Sequence, residues 1–377
     1  MAAGNLQDFL FALMQDGSLW GVGSDAFGQF GDGSSNGKRN FEKLISSGVK
    51  AVSAGTHHSM VLKEDGTLWA AGRNKYGQLG DGTTTTRYTF VKVASGVKAV
   101  DAGEYQTLIV KQDGSLWSTG NNQYGELGDG TKHDRHTFVK VVSGGVKTVA
   151  AGPDQSLIIK QDGSVWGTGY GGYCLLGQKG KSSLKFIKLM SSGATAVATG
   201  RYVSLVLKND GTVWGAGGNG NAELGYWCSP AAIRTNSCWA CTFRKVISGV
   251  KAVSASMGQT VVLKKDGSMW ITGYLGTGWG SHTKKGSDHF VRVPTNTMTS
   301  VSTTTPTSTT TTTTITCDGS KIDWADHTAE RQSASTAYEA PGQRLGSILV
   351  FPCRQGYRLG TVTYRCSADG TFRTKDT

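Results

Sequence analysis

One five-residue phrase recurs six times along the chain and restricts its fold more than any other feature. The phrase is an aspartate, a glycine, a serine or threonine, an apolar residue and a tryptophan. The copies begin at Asp16, Asp65, Asp113, Asp162, Asp210 and Asp266, and they end at Trp20, Trp69, Trp117, Trp166, Trp214 and Trp270. The first five tryptophans are spaced by about 48 or 49 residues, a period that is typical of solenoids and propellers.

Each copy of the phrase predicts a β-hairpin. Asp65-Gly66 lies between two short β-prone runs, residues 59–63 and 68–71, and glycine supplies the positive φ of a tight primed turn. Residues 90–93 and 97–100 are also β-prone, and we expect them to be joined through Ser95-Gly96 as two more strands of the same unit. Four short strands in each repeat predict one blade of a propeller, with the tryptophans packed between neighbouring blades.

A second motif carries a resemblance to a known family. Residues 72–83 and 120–131 both read Gly-x-Asn-x-Tyr-Gly-[Gln/Glu]-Leu-Gly-Asp-Gly-Thr. Together with the Asp-Gly-[Ser/Thr]-Leu-Trp phrase, this motif resembles the RCC1 (regulator of chromosome condensation) repeat. The resemblance spans residues 1–301 and implies an all-β propeller of six four-stranded blades, or of seven as in the best-known members. Those members range from a guanine-nucleotide exchange factor to ubiquitin-ligase scaffolds, so the resemblance implies a fold more than a function.

The composition changes abruptly after the propeller region 1–301. Residues 302–316 are nearly all threonine and predict a solvated linker, and residues 317–377 form a separate region. Residues 346–359 and 362–372, with Cys353 and Cys366, resemble a sushi (complement control) module. That resemblance implies a Cys317–Cys366 disulfide and an incomplete module. We also expect residues 298–302 to pair with the first blade and close the ring.

The expected location follows from the linker and the cysteines. A threonine-rich stalk and a disulfide-stapled module favour an extracellular or cell-surface location. The start of the sequence has no secretory signal, and a nuclear or cytoplasmic location is the alternative. No run of about 18 apolar residues occurs, so we predict no membrane span, and we expect a monomer.

The chain is basic, with a formal net charge of +12, and its basic residues recur at equivalent repeat positions. One set is Lys43, Lys92, Lys140, Lys188, Lys245 and Arg292; a second is Lys63, Lys111, Lys160, Lys208 and Lys264; a third is Lys50, Lys98, Lys147 and Lys251. We favour solvated outer strands whose lysines block edge pairing. The alternative is attraction of an acidic partner, with nucleic acid the less favoured case.

The sequence contains no recognisable catalytic or metal site. His57-His58 has no cysteine or carboxylate at ligand spacing, so no metal is expected there. Cys238 and Cys241 are spaced as Cys-x-x-Cys, for which a local disulfide is favoured over a zinc knuckle because a fourth ligand is missing. There is no nucleophile elbow and no phosphate-binding loop, so we expect no enzyme and no cofactor.

Two sets of variable loops predict where a partner binds. One set follows the Ala-Gly pairs and the other follows the tryptophan strands, and loops on a rigid frame commonly carry recognition. The predicted partner-binding residues are Phe27, His57, His58, Arg73, Lys75, Tyr76, Tyr105, Tyr124, Tyr173, Arg201 and Tyr202. The alternative for the recurring aromatic residue is packing beneath its own loop. We therefore predict a non-enzymatic binding or scaffold protein that recognises a protein or glycan. The alternative is an intracellular exchange factor, or a chromatin- or ubiquitin-ligase-associated regulator.

Overall fold

A computed structural model describes residues 2–3, 9–220, 222–226, 238–256, 258–273, 290–293, 364–366 and 372–374. These residues divide into two compact units, one ending at Val291 and the other beginning at Arg292. Within the described ranges, no helix is long and apolar enough to cross a membrane.

Six four-stranded sheets follow one another along the chain, and in each sheet the strands lie side by side in chain order. Blade 1 comprises β1 (Ala2–Ala3), β2 (Phe9–Leu13), β3 (Leu19–Gly23) and β4 (Lys38–Ile45). Blade 2 comprises β5 (Val49–Ala54), β6 (His58–Lys63), β7 (Leu68–Gly72) and β8 (Arg87–Ala94). Blade 3 comprises β9 (Val97–Ala102), β10 (Gln106–Lys111), β11 (Leu116–Gly120) and β12 (Arg135–Val142).

The remaining blades repeat this arrangement. Blade 4 comprises β13 (Val146–Ala151), β14 (Gln155–Lys160), β15 (Val165–Gly169) and β16 (Ser183–Met190). Blade 5 comprises β17 (Ala194–Thr199), β18 (Val203–Lys208), β19 (Val213–Gly217) and β20 (Ala240–Ile247), and blade 6 comprises β21 (Val250–Ala255), β22 (Gln259–Lys264), β23 (Met269–Gly273) and β24 (Val291–Arg292). Among the described residues, a 3-10 turn occupies Gly172–Cys174. The predicted six-bladed all-β propeller is confirmed.

The blade boundaries differ from the sequence prediction by one strand. Residues 90–93 lie in β8, the last strand of blade 2, whereas residues 97–100 lie in β9, the first strand of blade 3. Ser95-Gly96 therefore links two blades rather than forming a hairpin. The backbone of Val97 donates to the Gly66 carbonyl at 3.0 Å, which directs the chain under the Asp-Gly turn and into the next blade.

The recurring phrase forms a fixed hydrogen-bonded unit at one end of each blade. In blade 2, the Asp65 carboxylate accepts bonds from the Thr67 backbone at 2.8 Å and the Thr67 hydroxyl at 2.7 Å. The Trp69 indole then donates to Thr67 Oγ1 at 2.9 Å. Gly66 has φ +76°, and Lys63 is bonded to both Gly66 and Thr67. The turn therefore has three residues and ends on a left-handed glycine, and the predicted tight primed turn is wrong.

The core lies between blades. Five apolar clusters each combine side chains of two successive blades. Because side chains alternate along a strand, Val61 packs toward blade 1 while Met60 and Leu62 pack toward blade 3. Trp69 packs at the edge of the cluster between blades 1 and 2, as predicted, and remains half-buried.

Small residues let the first strands approach one another near the propeller axis. A Cβ on Gly55 would lie 2.5 Å from the Gly103 carbonyl oxygen, and one on Gly103 would lie 2.7 Å from the Gly152 carbonyl oxygen. The predictions for residues 298–302, for the threonine-rich linker, and for Cys317 lie outside the described residues. Of the sushi-like region, the structure describes only the backbone of β25 (Tyr364–Cys366), which pairs with β26 (Phe372–Thr374). The predicted Cys317–Cys366 disulfide is therefore untested.

Candidate functional site

The two variable loop sets lie at the same end of the blades. Because consecutive strands are antiparallel, the loop between β5 and β6 and the loop between β7 and β8 emerge together, opposite the Asp-Gly turns. The two loops are tied in each of the middle blades: Arg73 donates to the His57 carbonyl at 2.8 Å, and Asn121 donates to the Tyr105 carbonyl at 2.9 Å. We call this end the loop face and the opposite end the turn face.

The longer loops of blades 1 to 3 are each hydrogen-bonded to the next blade. In blade 2, the Asn74 side chain accepts from the Leu79 backbone and donates to Asp81, both at 3.0 Å. Gly82 donates to the His136 carbonyl of blade 3 at 2.9 Å. The Gly-x-Asn-x-Tyr-Gly-Gln-Leu-Gly-Asp-Gly motif is thus a structural clamp that presents the tyrosine at its centre.

Blades 1 to 3 contribute a continuous group of aromatic and basic side chains, which we call the first arc. It consists of Phe27, His57, Arg73, Lys75, Tyr76 and Tyr105. The Phe27 and His57 rings are 4.7 Å apart, and the Tyr76 and Tyr105 rings are 5.2 Å apart. Arg73 stacks over Phe27 at 5.0 Å, and the Lys75 ammonium lies 5.2 Å from the Tyr76 ring centre. In this arc, cations of the chain itself cover two of the aromatic rings.

Blades 3 to 5 contribute a second group, which we call the second arc. It consists of Tyr124, Tyr170, Tyr173, Tyr202 and Trp239. Ring centres are 4.9 Å apart for Tyr124 and Tyr170 and 6.0 Å apart for Tyr170 and Tyr173. Tyr173 lies 5.2 Å from Tyr202 and 5.4 Å from Trp239, and it is 37% exposed. The structure therefore brings the predicted aromatic residues together, across blade boundaries, into two partly exposed groups.

Carboxylates lie beside and beneath the second arc. Burial raises the pKa of Asp154, as does the nearby Glu104, and Arg201 opposes the shift. The Tyr170 backbone donates to the Asp154 carbonyl at 2.8 Å, which places this residue beside the second arc. Burial raises the pKa of Tyr124, and the charge of Asp154 raises it further. Beneath the loop, the Tyr124 backbone donates to Glu126 at 2.7 Å, and burial raises the pKa of Glu126 to about 7.

His58 is not part of the loop face, and its prediction as a partner-binding residue is wrong. Its side chain is fully buried, and Nε2 lies 3.1 Å from the Thr107 hydroxyl of blade 3. That hydroxyl donates to the Gln78 carbonyl, so His58 Nε2 must be the donor to Thr107. Burial and the neighbouring His57 lower the pKa of His58 to about 3, so the ring is neutral and joins two blades.

The predicted Cys238–Cys241 disulfide is also wrong. Cys241, in β20 of blade 5, is bonded to Cys174 in the long loop of blade 4, 67 residues away in the sequence. The clamp described above explains the pairing, because it lays the long loop of one blade against the last strand of the next. Cys174 and Tyr173 have φ of 62° and 55°, and Cys174 takes the position of Gly77 in blade 2.

The two basic sets that recur through most of the blades belong to the outer strands and the turn face rather than to the loop face. Lys92 and Lys140 are exposed and pair in register with Trp69 and Trp117. Lys63 stacks on Trp69, with its ammonium 4.4 Å from the ring. Equivalent stacking occurs at Lys111, Lys160, Lys208 and Lys264. The positions of Lys92 and Lys140 agree with the preferred interpretation of lysines on solvated outer strands. The stacked lysines instead end the second, inner strand of each blade.

Three residues of the second arc region were not selected from the sequence. Tyr170 occupies the repeat position of Arg73, and Asp154 occupies the position of His57 and Tyr105, so aligning the loops by position would have drawn attention to both. Trp239 lies between two cysteines outside the repeat and carried no such signal. Among the described residues, no group of three or more potential metal ligands occurs.

Comparison with known proteins identifies the repeat and the fold. Family models of the regulator of chromosome condensation (RCC1) repeat match residues 49–78 and 97–126, and residues 65–110 and 113–159. Human WBSCR16 is similar in structure, with 20% identity, a TM-score of 0.62, and coverage of 78% of this chain and 80% of that one. The chain thus carries RCC1 repeats in blades 2 to 4 and has an RCC1-like propeller fold.

Two structures of yeast RCC1 are also similar. One is Prp20 with Kap60 bound, at 17% identity and TM-score 0.66, covering 77% of this chain and 74% of that one. The other is Prp20p from Saccharomyces cerevisiae, whose study describes binding to Gsp1p and histones, at 19% identity and TM-score 0.65, covering 77% and 76%. At these identities the likeness concerns the fold alone. No curated protein matches the sequence.

Proposed function

We propose that this protein is a non-enzymatic recognition module that binds a protein partner through the loop face. The observation that carries the proposal is that loops from successive blades together form two partly exposed aromatic arcs. Aromatic residues and arginine are common energetic hot spots of protein interfaces. Because hydrogen bonds to the next blade hold the longer loops of blades 1 to 3, little conformational freedom of these loops is lost on binding.

The disulfide supports a location in an oxidising compartment. Cys174 is fully buried and Cys241 is half-buried, and their bond joins blades 4 and 5 beside the second arc. Such bonds persist mainly in secreted and cell-surface proteins. We therefore favour an extracellular or cell-surface role, with the nuclear or cytoplasmic location as the alternative.

Partner capture with matched variants tests the proposal. The full chain is immobilised, proteins retained from an extracellular extract are identified by mass spectrometry, and a retained protein is then titrated directly. Changing Arg73, Tyr76, Tyr105 and Tyr124 together to alanine should abolish binding of that protein without lowering the melting temperature by more than a few degrees. A control with Lys92→Ala and Lys140→Ala on the outer strands should bind normally. Undiminished binding by the loop-face variant would refute the proposal.

Nucleotide exchange on a small GTPase is the second candidate function. It is favoured by the propeller likeness to yeast RCC1 (Prp20) and by the RCC1 repeats in blades 2 to 4. The chain would accelerate release of a fluorescent guanine nucleotide from a Ran-like GTPase. No acceleration at a micromolar concentration of the full chain would reject this candidate and leave the recognition role standing.

A further inference from the structure

The second arc has aromatic ring faces on which no described lysine or arginine stacks. Within the described part of the chain, no lysine or arginine stacks on Tyr124, Tyr170, Tyr173 or Tyr202, whereas Arg73 and Lys75 stack on rings of the first arc. The two arcs therefore use the same repeat positions, but only the first arc has described cations stacked on its rings.

Two replacements account for the difference. At the position of Arg73, blade 4 has Tyr170, which packs against Tyr124 at 4.9 Å. At the position of His57 and Tyr105, blade 4 has Asp154. The second arc thus loses a positive charge and gains a negative one at the boundary between blades 3 and 4.

The Asp154 carboxylate lacks a close partner. Among the described residues, no hydrogen-bond donor contacts it and no ion pair within 4.0 Å includes it. Arg201 acts on it only as a more distant charge, and Glu104 adds further negative charge. A partly buried carboxylate without a partner is costly, and a cation that binds beside it relieves that cost.

We propose that the second arc binds a basic side chain, lysine or arginine, that projects from a protein partner. The ring faces of Tyr124 and Tyr173 would attract the cation and Asp154 would supply the opposing charge, as in other aromatic recognition sites for cations. This inference rests on the proposed function and names the chemistry of its partner. The charge of the whole chain, +12, repels a basic partner at long range, so recognition depends on contact at this site.

Two oligopeptides test the inference on the full chain. Fluorescein-labelled octa-arginine and octa-glutamate are titrated with the protein at about 0.15 M salt, where charges beyond roughly 8 Å are screened. Wild type should bind octa-arginine, and both Asp154→Asn and Tyr173→Ala should weaken that binding by about fivefold or more. Glu64→Gln removes one negative charge from an exposed residue near an Asp-Gly turn and should leave the affinity unchanged.

Three outcomes would overturn the inference: no binding of octa-arginine by wild type, equal binding by Asp154→Asn, or the same loss in Glu64→Gln. Melting temperatures show whether a variant is folded, and Tyr173→Phe, which keeps the ring, should retain most of the affinity. If octa-arginine fails to bind while loop-face variants still lose a captured partner, the recognition role stands and only this inference falls.

Discussion

The first and second arcs use the same repeat positions but differ in charge. The first arc pairs its rings with its own cations, through Arg73 on Phe27 and Lys75 on Tyr76. The second arc packs ring against ring, around Tyr173. It has Asp154 where blades 2, 3 and 5 have His57, Tyr105 and Tyr202. A repeated frame therefore fixes where side chains are presented, and substitutions at a few loop positions decide what each part of the face can bind.

The disulfide provides the largest expected difference between the arcs. Breaking Cys174–Cys241 by Cys241→Ser should destabilise the protein by about 2–4 kcal/mol, because the bond closes a 67-residue loop next to the second arc. Chemical denaturation of wild type under oxidising and reducing conditions measures the effect. Because Cys241→Ser already lacks this bond, reductant should not lower the stability of the variant through it. If Cys241→Ser were as stable as oxidised wild type, the Cys174–Cys241 bond would not be needed to stabilise the region of the second arc.

The position of Cys174 sharpens the same comparison. The equivalent residue of the first arc is Gly77, which also has a positive φ. Cys174→Gly should therefore be more stable than Cys174→Ala by about 1 kcal/mol, because glycine adopts the left-handed region without steric cost. Thermal unfolding of the two variants under reducing conditions decides the point. The reverse order would mean that packing, rather than backbone conformation, determines this site.

Each arc has a buried acid where another blade has an amide. Asp25 takes the position of Asn74, and Glu126 takes the position of Gln29 and Gln78. Asp25 Oδ2 and Glu126 Oε1 have no hydrogen-bond partner among the described residues, whereas the Gln29 amide donates to the Ser24 carbonyl at 3.0 Å. Burial raises the pKa of Asp25 to about 6 and that of Glu126 to about 7.

Asp25→Asn and Glu126→Gln should each stabilise the protein by about 1–2 kcal/mol at neutral pH, because each supplies the missing donor. A raised folded pKa means that the destabilisation is present above that pKa and is lost as the pH falls toward the unfolded value. The gain should therefore shrink between pH 7 and pH 4. Denaturant titrations at several pH values test this, and a gain that stays constant with pH would contradict the assignment.

His58 beneath the first arc and Gln155 beneath the second occupy one repeat position. His58→Gln should change stability at pH 7 by less than about 1 kcal/mol, since a glutamine already serves at this position. Because the folded pKa of His58 is lowered to about 3, its contribution is present above the unfolded pKa and is lost as the pH falls below about 6.5. The variant should lose less stability than wild type between pH 7 and pH 5. Equal acid sensitivity would refute the neutral, buried assignment.

The sequence predicts the frame well because the frame is repeated. Six copies of the Asp-Gly phrase predict the blade number, and the short β-prone runs beside each turn predict the strands. The blade boundary at Ser95-Gly96 was missed, because a Ser-Gly link between two β-prone runs looks the same whether or not the runs pair. The turn type was missed because Asp-Gly suits both two- and three-residue hairpin loops.

The candidate site was less predictable, since it depends on contacts between blades. The loops could be chosen from their variability, but neither the burial of His58 nor the pairing of Cys174 with Cys241 can be seen within one repeat. Both the burial of His58 and this disulfide depend on how one blade packs against the next. Aligning the loops by position would have drawn attention to Asp154, but its contact with Tyr170 is visible only in the structure.

Exchanging the two arc types gives the most direct test of this account. Tyr170→Arg places a guanidinium where Arg73 stands in the first arc, so it should cover Tyr124, neutralise Asp154 and abolish octa-arginine binding while the protein stays folded. Arg73→Lys in the first arc, which keeps the charge, serves as the control and should leave that binding unchanged. The measurement is the dissociation constant of labelled octa-arginine for wild type, Tyr170→Arg and Arg73→Lys. The account predicts loss of binding in Tyr170→Arg alone, and unchanged binding by that variant would contradict it.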